Sequence, residues 1–293
     1  MAKGPLLLGS LFVAAKFDRN QSPNTDVAAN VTRVTDVMDN TGPVRAIVFD
    51  LFDTLVDLYT EKLPRIEYRG HLIPASARAL HATLPHRSGI DFDTFATAMA
   101  EVDDEFKKSH YSEGLELSSN ARFAELCDRL AVSDPKLPGV MAHVHMGLLR
   151  EQVAMPLHHL GILCSLSERV QLGLCSNFSH TVTACAILED YGIHEYLDAI
   201  VISEEVGIRK PRSEIFIATL DELTVATHEV LHVGDNLGAD VAGAAALGIR
   251  SVWITRRVKD PEKTLAEFDG PRPDFQIEDL AELEGILDQV QQA

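Results

Sequence analysis

Five short apolar runs punctuate a chain whose remaining periodicity is mostly helical. Residues 44–49 are rich in Val and Ile and end at Asp50. Similar runs recur at 170–175, 199–202, 229–233 and 250–254. Compact, mainly apolar runs of this length read as strands buried on both faces, as in parallel sheets. Between them, residues 181–191, 213–223 and 239–247 carry helical spacing. Strand and helix alternate from residue 170 onward, which predicts an α/β fold: a doubly wound parallel sheet with helices on both faces. In such sheets reactive groups gather beyond the carboxyl ends of the strands, where the topology switches direction.

The interval between the first and second runs is too long for a simple crossover. From 58 to 151 the pattern is nearly all helical, interrupted near Pro64, Pro74, Pro85 and Pro135. Apolar spacing over 95–106 and 123–130 predicts amphipathic helices. The block reads as an all-helical cap (58–151) inserted into a core made of 44–57 and 152–293. Residues 1–43 form an N-terminal extension. Its apolar stretch at 5–15, behind the single Lys3, lacks the basic region and the cleavage site of a good leader. Residues 17–42 are polar and read as disordered, and Met38, just before the first strand, is an alternative start.

Composition adds limits. Hydrophobic residues make up 46% and charged residues 24% of the 293, ordinary values for a globular protein. The formal net charge of -18 argues against nucleic acid and against anionic membrane surfaces as partners. An anionic small-molecule substrate would have to find local positive charge, a metal ion or backbone amides. The four cysteines, Cys127, Cys164, Cys175 and Cys185, show no metal-type spacing. They read as free thiols of a reducing, cytoplasmic setting. The oligomeric state is not written in the pattern, and a homodimer stays open.

Four segments at expected strand ends carry coherent chemistry. Asp50-Leu51-Phe52-Asp53-Thr54-Leu55 follows the first strand, and a carboxylate there can attack an electrophile. Cys175-Ser176-Asn177 follows the second, offering a hydroxyl and an amide to substrate oxygens. Gly207-Ile208-Arg209-Lys210-Pro211 brings an ammonium to the nucleophile and a bound anion. Gly234-Asp235-Asn236-Leu237-Gly238-Ala239-Asp240 supplies two carboxylates suited to Mg²⁺, a hard cation that takes oxygen ligands. Each segment alone is more often a helix cap, a turn or a solvated lysine. Their order and shared position give the pattern its weight. Plainer readings fit the rest: His232 packed, His158 and His159 facing solvent and core, Cys175 a small core residue, and Arg122, Arg209 and Arg212 surface cations or anion contacts.

The segment Val48-Phe49-Asp50-Leu51-Phe52-Asp53-Thr54-Leu55, with Ser176, Lys210 and Asp235/Asp240 following in order, resembles the four motifs of the haloacid dehalogenase-like hydrolases. The helical insertion is similar to the cap of that family's dehalogenase and phosphoglycolate phosphatase-like branches, and Glu116-Leu117-Ser118 with Arg122-Phe123 fits it. The resemblance covers about 44–287. It implies Asp50 as covalent nucleophile and Thr54, Ser176 and Lys210 as its catalytic companions. Asn177 and Phe52 would contact substrate. Mg²⁺ would lie on Asp50, the Phe52 carbonyl and Asp235, supported by Asp240. One departure matters. The family's phosphatases carry a second Asp where this chain has Phe52, so the proton-transfer group is missing, whereas metal-free dehalogenases carry an aromatic residue there. Asp235 argues the other way, because those dehalogenases place Ser at its position. A phosphonate-cleaving branch would need a cap lysine, for which Lys62 is the candidate. Three readings follow: a Mg²⁺-dependent phosphatase of small metabolites, a 2-haloacid dehalogenase, and a weakly catalytic binding protein.

Overall fold

The structure, a computed structural model, describes residues 42–63, 65–68 and 71–292. The N-terminal extension therefore lies outside the described residues, apart from 42 and 43. Along the chain the elements are β1 (Ala46–Phe49), β2 (Asp57–Leu58), β3 (Arg65–Tyr68), β4 (His71–Pro74), α1 (Ser76–His81), α2 (Phe92–Ser109), α3 (Ser119–Arg129), α4 (Leu137–Arg150) and β5 (Val153–Ala154). There follow α5 (His159–Ser167), β6 (Gln171–Ser176), α6 (Thr181–Asp190), β7 (Ala199–Ile202), α7 (Ser203–Val206), α8 (Ser213–Leu223), β8 (Val230–Gly234), α9 (Ala242–Ala245), β9 (Arg250–Ile254), α10 (Pro261–Glu267), β10 (Phe275–Ile277) and α11 (Leu283–Gln292).

Six strands form one parallel sheet in the order β10-β9-β8-β1-β6-β7. Side chains alternate along a strand, so β1 serves two cores. Ile47 and Phe49 face a cluster that includes Leu163, Ile187 and Leu287 from α5, α6 and α11. Ala46 and Val48 face Ile215, Phe216 and Leu220 of α8. Burial on both faces explains why these strands read as mainly apolar runs without strict alternation. The chain reverses direction across the sheet at β1, between β8 and β6, and the site residues collect at that point.

Helices α1 to α4 form the insertion and have a core of their own, built from Leu80, Phe95, Phe123, Leu126 and Met141. Asp91 and Ser118 start α2 and α3 by accepting hydrogen bonds from Thr94 N and Ala121 N, the usual N-cap arrangement. The insertion also holds an antiparallel hairpin, β3 with β4, which helical periodicity does not reveal. Its entering and leaving connections run antiparallel as β2 and β5, pairing Asp57 with Ala154 and Leu58 with Val153. None of the described helices is long and apolar enough to cross a membrane. The expected helix over 239–247 begins differently: residues Leu237–Val241 form a wide π-type turn before α9.

Candidate active site

Asp50 follows β1, and its amide donates to Val233 O of β8 at 2.9 Å. From the other side of β1, β6 ends in Ser176. Lys210 enters from the segment between β7 and α8. It is buried, and its Nζ donates to Asp50 Oδ1 at 2.7 Å and to Asp240 Oδ1 at 2.6 Å. One ammonium thus bridges two carboxylates that the sequence separates widely. Burial opposes the lysine's charge, but Asp240 and Asp50 outweigh it and hold its pKa above the ordinary value.

The turn after β8 fixes the other carboxylates. Asn236 Oδ1 accepts from Gly238 N and Ala239 N, opening the π-type turn that turns Asp240 back toward the sheet. Asp240 Oδ2 accepts from Asn236 N at 3.0 Å, and its Oδ1 also accepts from His232 Nε2 at 2.9 Å. Burial works against its charge. Lys210 and His232 more than offset that, keeping it ionised well below the usual carboxylate range. Gly234 makes this approach possible: a Cβ there would lie 2.2 Å from Asp240 Cγ. Trp253 Nε1 donates to the Asp235 carbonyl at 2.7 Å, anchoring that residue from β9.

Oxygens of Asp50, Asp235 and Asp240 lie within 4.8 Å of one another. Three carboxylates therefore crowd one ammonium, which pairs with two of them. The imbalance shows at Asp235, whose pKa is pushed up to about 8 by burial and by the charges of Asp50 and Asp240. Burial likewise raises Asp50. A hard divalent cation fits this donor set, all oxygen and short of positive charge. Two further groups await a partner: Thr54 Oγ1 and Ser176 Oγ are buried and meet no hydrogen-bond partner. Buried hydroxyls are normally satisfied, so the pair marks a place where ligand oxygens belong.

Other sequence candidates sit differently from their simplest reading. Asn177 Nδ2 donates to Lys210 O at 3.0 Å, and its Oδ1 accepts from Lys210 N at 2.7 Å. The amide thus holds the lysine's backbone. Phe52 packs its ring against Phe178, with centroids 4.9 Å apart. Asp53 takes a left-handed backbone (φ 57°), and its Oδ1 accepts from Leu58 N and from Arg257 Nε. It braces the turn. Lys62 is exposed and lies over the Tyr59 ring. Arg122, Arg209 and Arg212 pair with Asp103, Glu116 and Glu214.

A feature outside the four motifs joins the insertion to the core. The Glu116 side chain is fully buried, accepting from Ser203 Oγ at 2.6 Å and from Arg209 at 3.1 Å. Backbone bonds reinforce it, Glu116 N to Gly207 O and Arg209 N to Gly114 O. Ser203 Oγ accepts from Phe178 N, so the network reaches the aromatic wall beside Phe52. The sequence carried only a faint sign of it, the acidic residue in Glu116-Leu117-Ser118.

A family model described as haloacid dehalogenase-like hydrolase matches residues 44–248. A glyceraldehyde 3-phosphate phosphatase of Methanopyrus kandleri is 39% identical over 97 residues, 33% of this chain and 40% of that protein. The chain thus spans well under half of that relative. A glyceraldehyde 3-phosphate phosphatase of Pyrococcus abyssi is 27% identical over 224 residues, 72% of this chain and 81% of that protein. Among solved structures, a 2-haloacid dehalogenase from Pseudomonas syringae superposes with a TM-score of 0.59 at 23% identity. That match covers 84% of this chain and 99% of the other, a likeness of fold.

Proposed function

The chain belongs to the haloacid dehalogenase-like hydrolases, and from that membership we propose that it is a Mg²⁺-dependent phosphatase of small phosphorylated metabolites. The observation that carries the reading is the cluster of Asp50, Asp235 and Asp240 around the single ammonium of Lys210. A third, half-buried carboxylate beside the two buried ones adds negative charge that a divalent cation would balance. Relatives bearing phosphatase names support the same class. The four free thiols suit a reducing compartment such as the cytoplasm.

In this mechanism an Asp50 carboxylate oxygen attacks phosphorus, and the bond to the leaving-group oxygen breaks with its electron pair. Thr54 and Ser176 donate to the phosphoryl oxygens through their unpartnered hydroxyls. Lys210, fixed by Asn177, neutralises charge on the nucleophile and on the transferred group. Asp50, the Phe52 carbonyl and Asp235 would hold Mg²⁺, with Asp240 behind them. When bound, the ion supplies Lewis-acid stabilisation of the phosphoryl oxygens. Water then attacks phosphorus, the bond to Asp50 breaks with its electron pair returning to the carboxylate, and phosphate leaves carrying the water's protons.

Phe52 sets the expected substrate preference. With no carboxyl at that position, a leaving group must depart unprotonated, so phosphate esters of acidic alcohols and acyl phosphates should outpace alkyl phosphates. The apolar Phe52–Phe178 wall also favours a second reading, hydrolysis of a 2-haloacid, in which halide leaves without a proton. Assay of p-nitrophenyl phosphate and 2-chloropropionate, each with and without Mg²⁺, separates the two. Mg²⁺-dependent phosphate release, abolished by Asp50→Asn, supports the phosphatase. Halide release indifferent to chelator overturns it, and binding without turnover of either substrate favours a weakly catalytic binding protein.

A further inference from the structure

On the far side of the nucleophile loop, two imidazoles and a carboxylate converge. Ligand atoms of His158, His159 and Asp279 lie within 4.8 Å of one another. His158 Nε2 is 2.7 Å from Asp279 Oδ1, and the two side chains are 52% and 30% exposed. His159, next in sequence at the start of α5, is completely buried. The two rings meet nearly edge to face, with centroids 4.9 Å apart.

The state of His159 gives the cluster its meaning. Its Nδ1 lies 2.8 Å from Leu55 O, and because a carbonyl only accepts, Nδ1 carries the proton. In the neutral ring Nε2 is then an acceptor. That atom is buried and meets no hydrogen-bond partner. Burial disfavours the charged ring, with the Leu55 bond opposing. A neutral imidazole whose far N–H donates to a backbone carbonyl is the arrangement that metal-ligating histidines adopt. Asp279 is oriented too, accepting from Ala281 N at 2.9 Å. Arg256, whose charge reaches His159, is already paired with Asp57.

We infer that His158, His159 and Asp279 form a second divalent-metal site, one that prefers imidazole-binding ions such as Zn²⁺ over Mg²⁺. Two nitrogens and one oxygen suit Zn²⁺, with water completing a four-coordinate shell from the open side. Metal–ligand bonds of about 2.0–2.1 Å place ligand atoms roughly 3.3 Å apart in a tetrahedron. The exposed side chains of His158 and Asp279 adjust to that spacing while His159 stays fixed. Because His159 also holds Leu55, one residue beyond Thr54, occupancy would stiffen the loop that carries Asp50. The site takes a different ion from the carboxylate cluster and does not depend on the phosphatase reading.

The test uses the untagged full-length chain carrying Asp235→Asn, with Mg²⁺ in excess, so that the carboxylate cluster does not compete. Titration with Zn²⁺ against a chelator reads affinity, and Co²⁺ reports four-coordination through its visible bands. One ion per chain is expected. His158→Gln and Asp279→Asn, both on exposed side chains, should weaken Zn²⁺ by roughly 100-fold or more, since even outer-shell partners are worth about 10–100-fold. His159→Gln should do the same, with circular dichroism checking its fold. Zn²⁺ affinity unchanged in His158→Gln and Asp279→Asn, or no stoichiometric Co²⁺ spectrum, overturns the assignment.

Discussion

Asp235 is a residue whose charge depends on conditions. Its pKa, pushed up to about 8, lies above that of an unfolded Asp at about 3.9. The native state therefore binds the extra proton between those values, and stability falls as pH rises through that window. Without metal, Asp235→Asn should leave the melting temperature unchanged below about pH 4 and raise it increasingly toward roughly pH 9. Mg²⁺ should reverse the order by stabilising only the parent chain, and equal Mg²⁺ protection of both proteins would remove Asp235 from the metal site. Phe52 offers a complementary test. If its position lacks only a proton-transfer group, Phe52→Asp should raise turnover of alkyl phosphates, where general acid–base help is worth about 10²–10⁴-fold. The parent should show a burst of p-nitrophenolate before slow turnover. The convergence of Asp50, Lys210, Asp235 and Asp240 was legible because strand ends in this topology bring such loops together. The bonding of Asn177 was not. It depends on a pairing with Lys210 across two loops, which no local pattern encodes.

At the scale of elements, one buried carboxylate helps to tie the insertion to the core. Glu116 sits between Ser203 and Arg209, and the latter also lies over the Tyr111 ring at 4.5 Å. Removing one partner of a buried pair costs about 3–5 kcal/mol. Arg209 keeps 27% exposure, so Glu116→Ala should fall near or below the lower end, while Glu116→Gln keeps the Ser203 bond and should cost less. Denaturant unfolding measures both, and hydrogen exchange over residues 114–119 should rise in each. A loss of under about 0.5 kcal/mol in Glu116→Ala, the range of an ordinary surface change, would show that the backbone bonds suffice alone. The elements flanking this junction differ in how plainly the sequence announced them. β7, β9 and α8 fall where apolar runs and helical spacing placed them, because burial on both faces leaves little ambiguity. β10 did not: it is a three-residue edge strand, Phe275–Ile277, with only Ile277 fully buried, and so lacks a continuous run. The first strand of the β3–β4 hairpin was hidden because its residues alternate between exposed and half-buried, with none fully buried. The turn at Leu237–Val241 kept helical spacing while changing its pitch.

Charge acts over the whole molecule. The chain carries a formal net charge of -18, and the arginines nearest the nucleophile and lysine loops are already paired: Arg209 with Glu116, Arg256 with Asp57 and Arg257 with Asp53. Lys210 lies inside the site, bound to two carboxylates. No surplus of positive charge at these positions offsets the global field, so an anionic substrate approaches against it. Salt shortens the reach of that field from about 30 Å at 0.01 M to about 8 Å at 0.15 M. With Mg²⁺ saturating throughout, kcat/KM for a phosphate monoester should therefore rise across this range, by roughly twofold or more, and rise further for a bisphosphate. Enzymes that steer their substrates in show the opposite slope. A kcat/KM that falls with salt would mean that the insertion presents a positive path to the site strong enough to overrule the net charge.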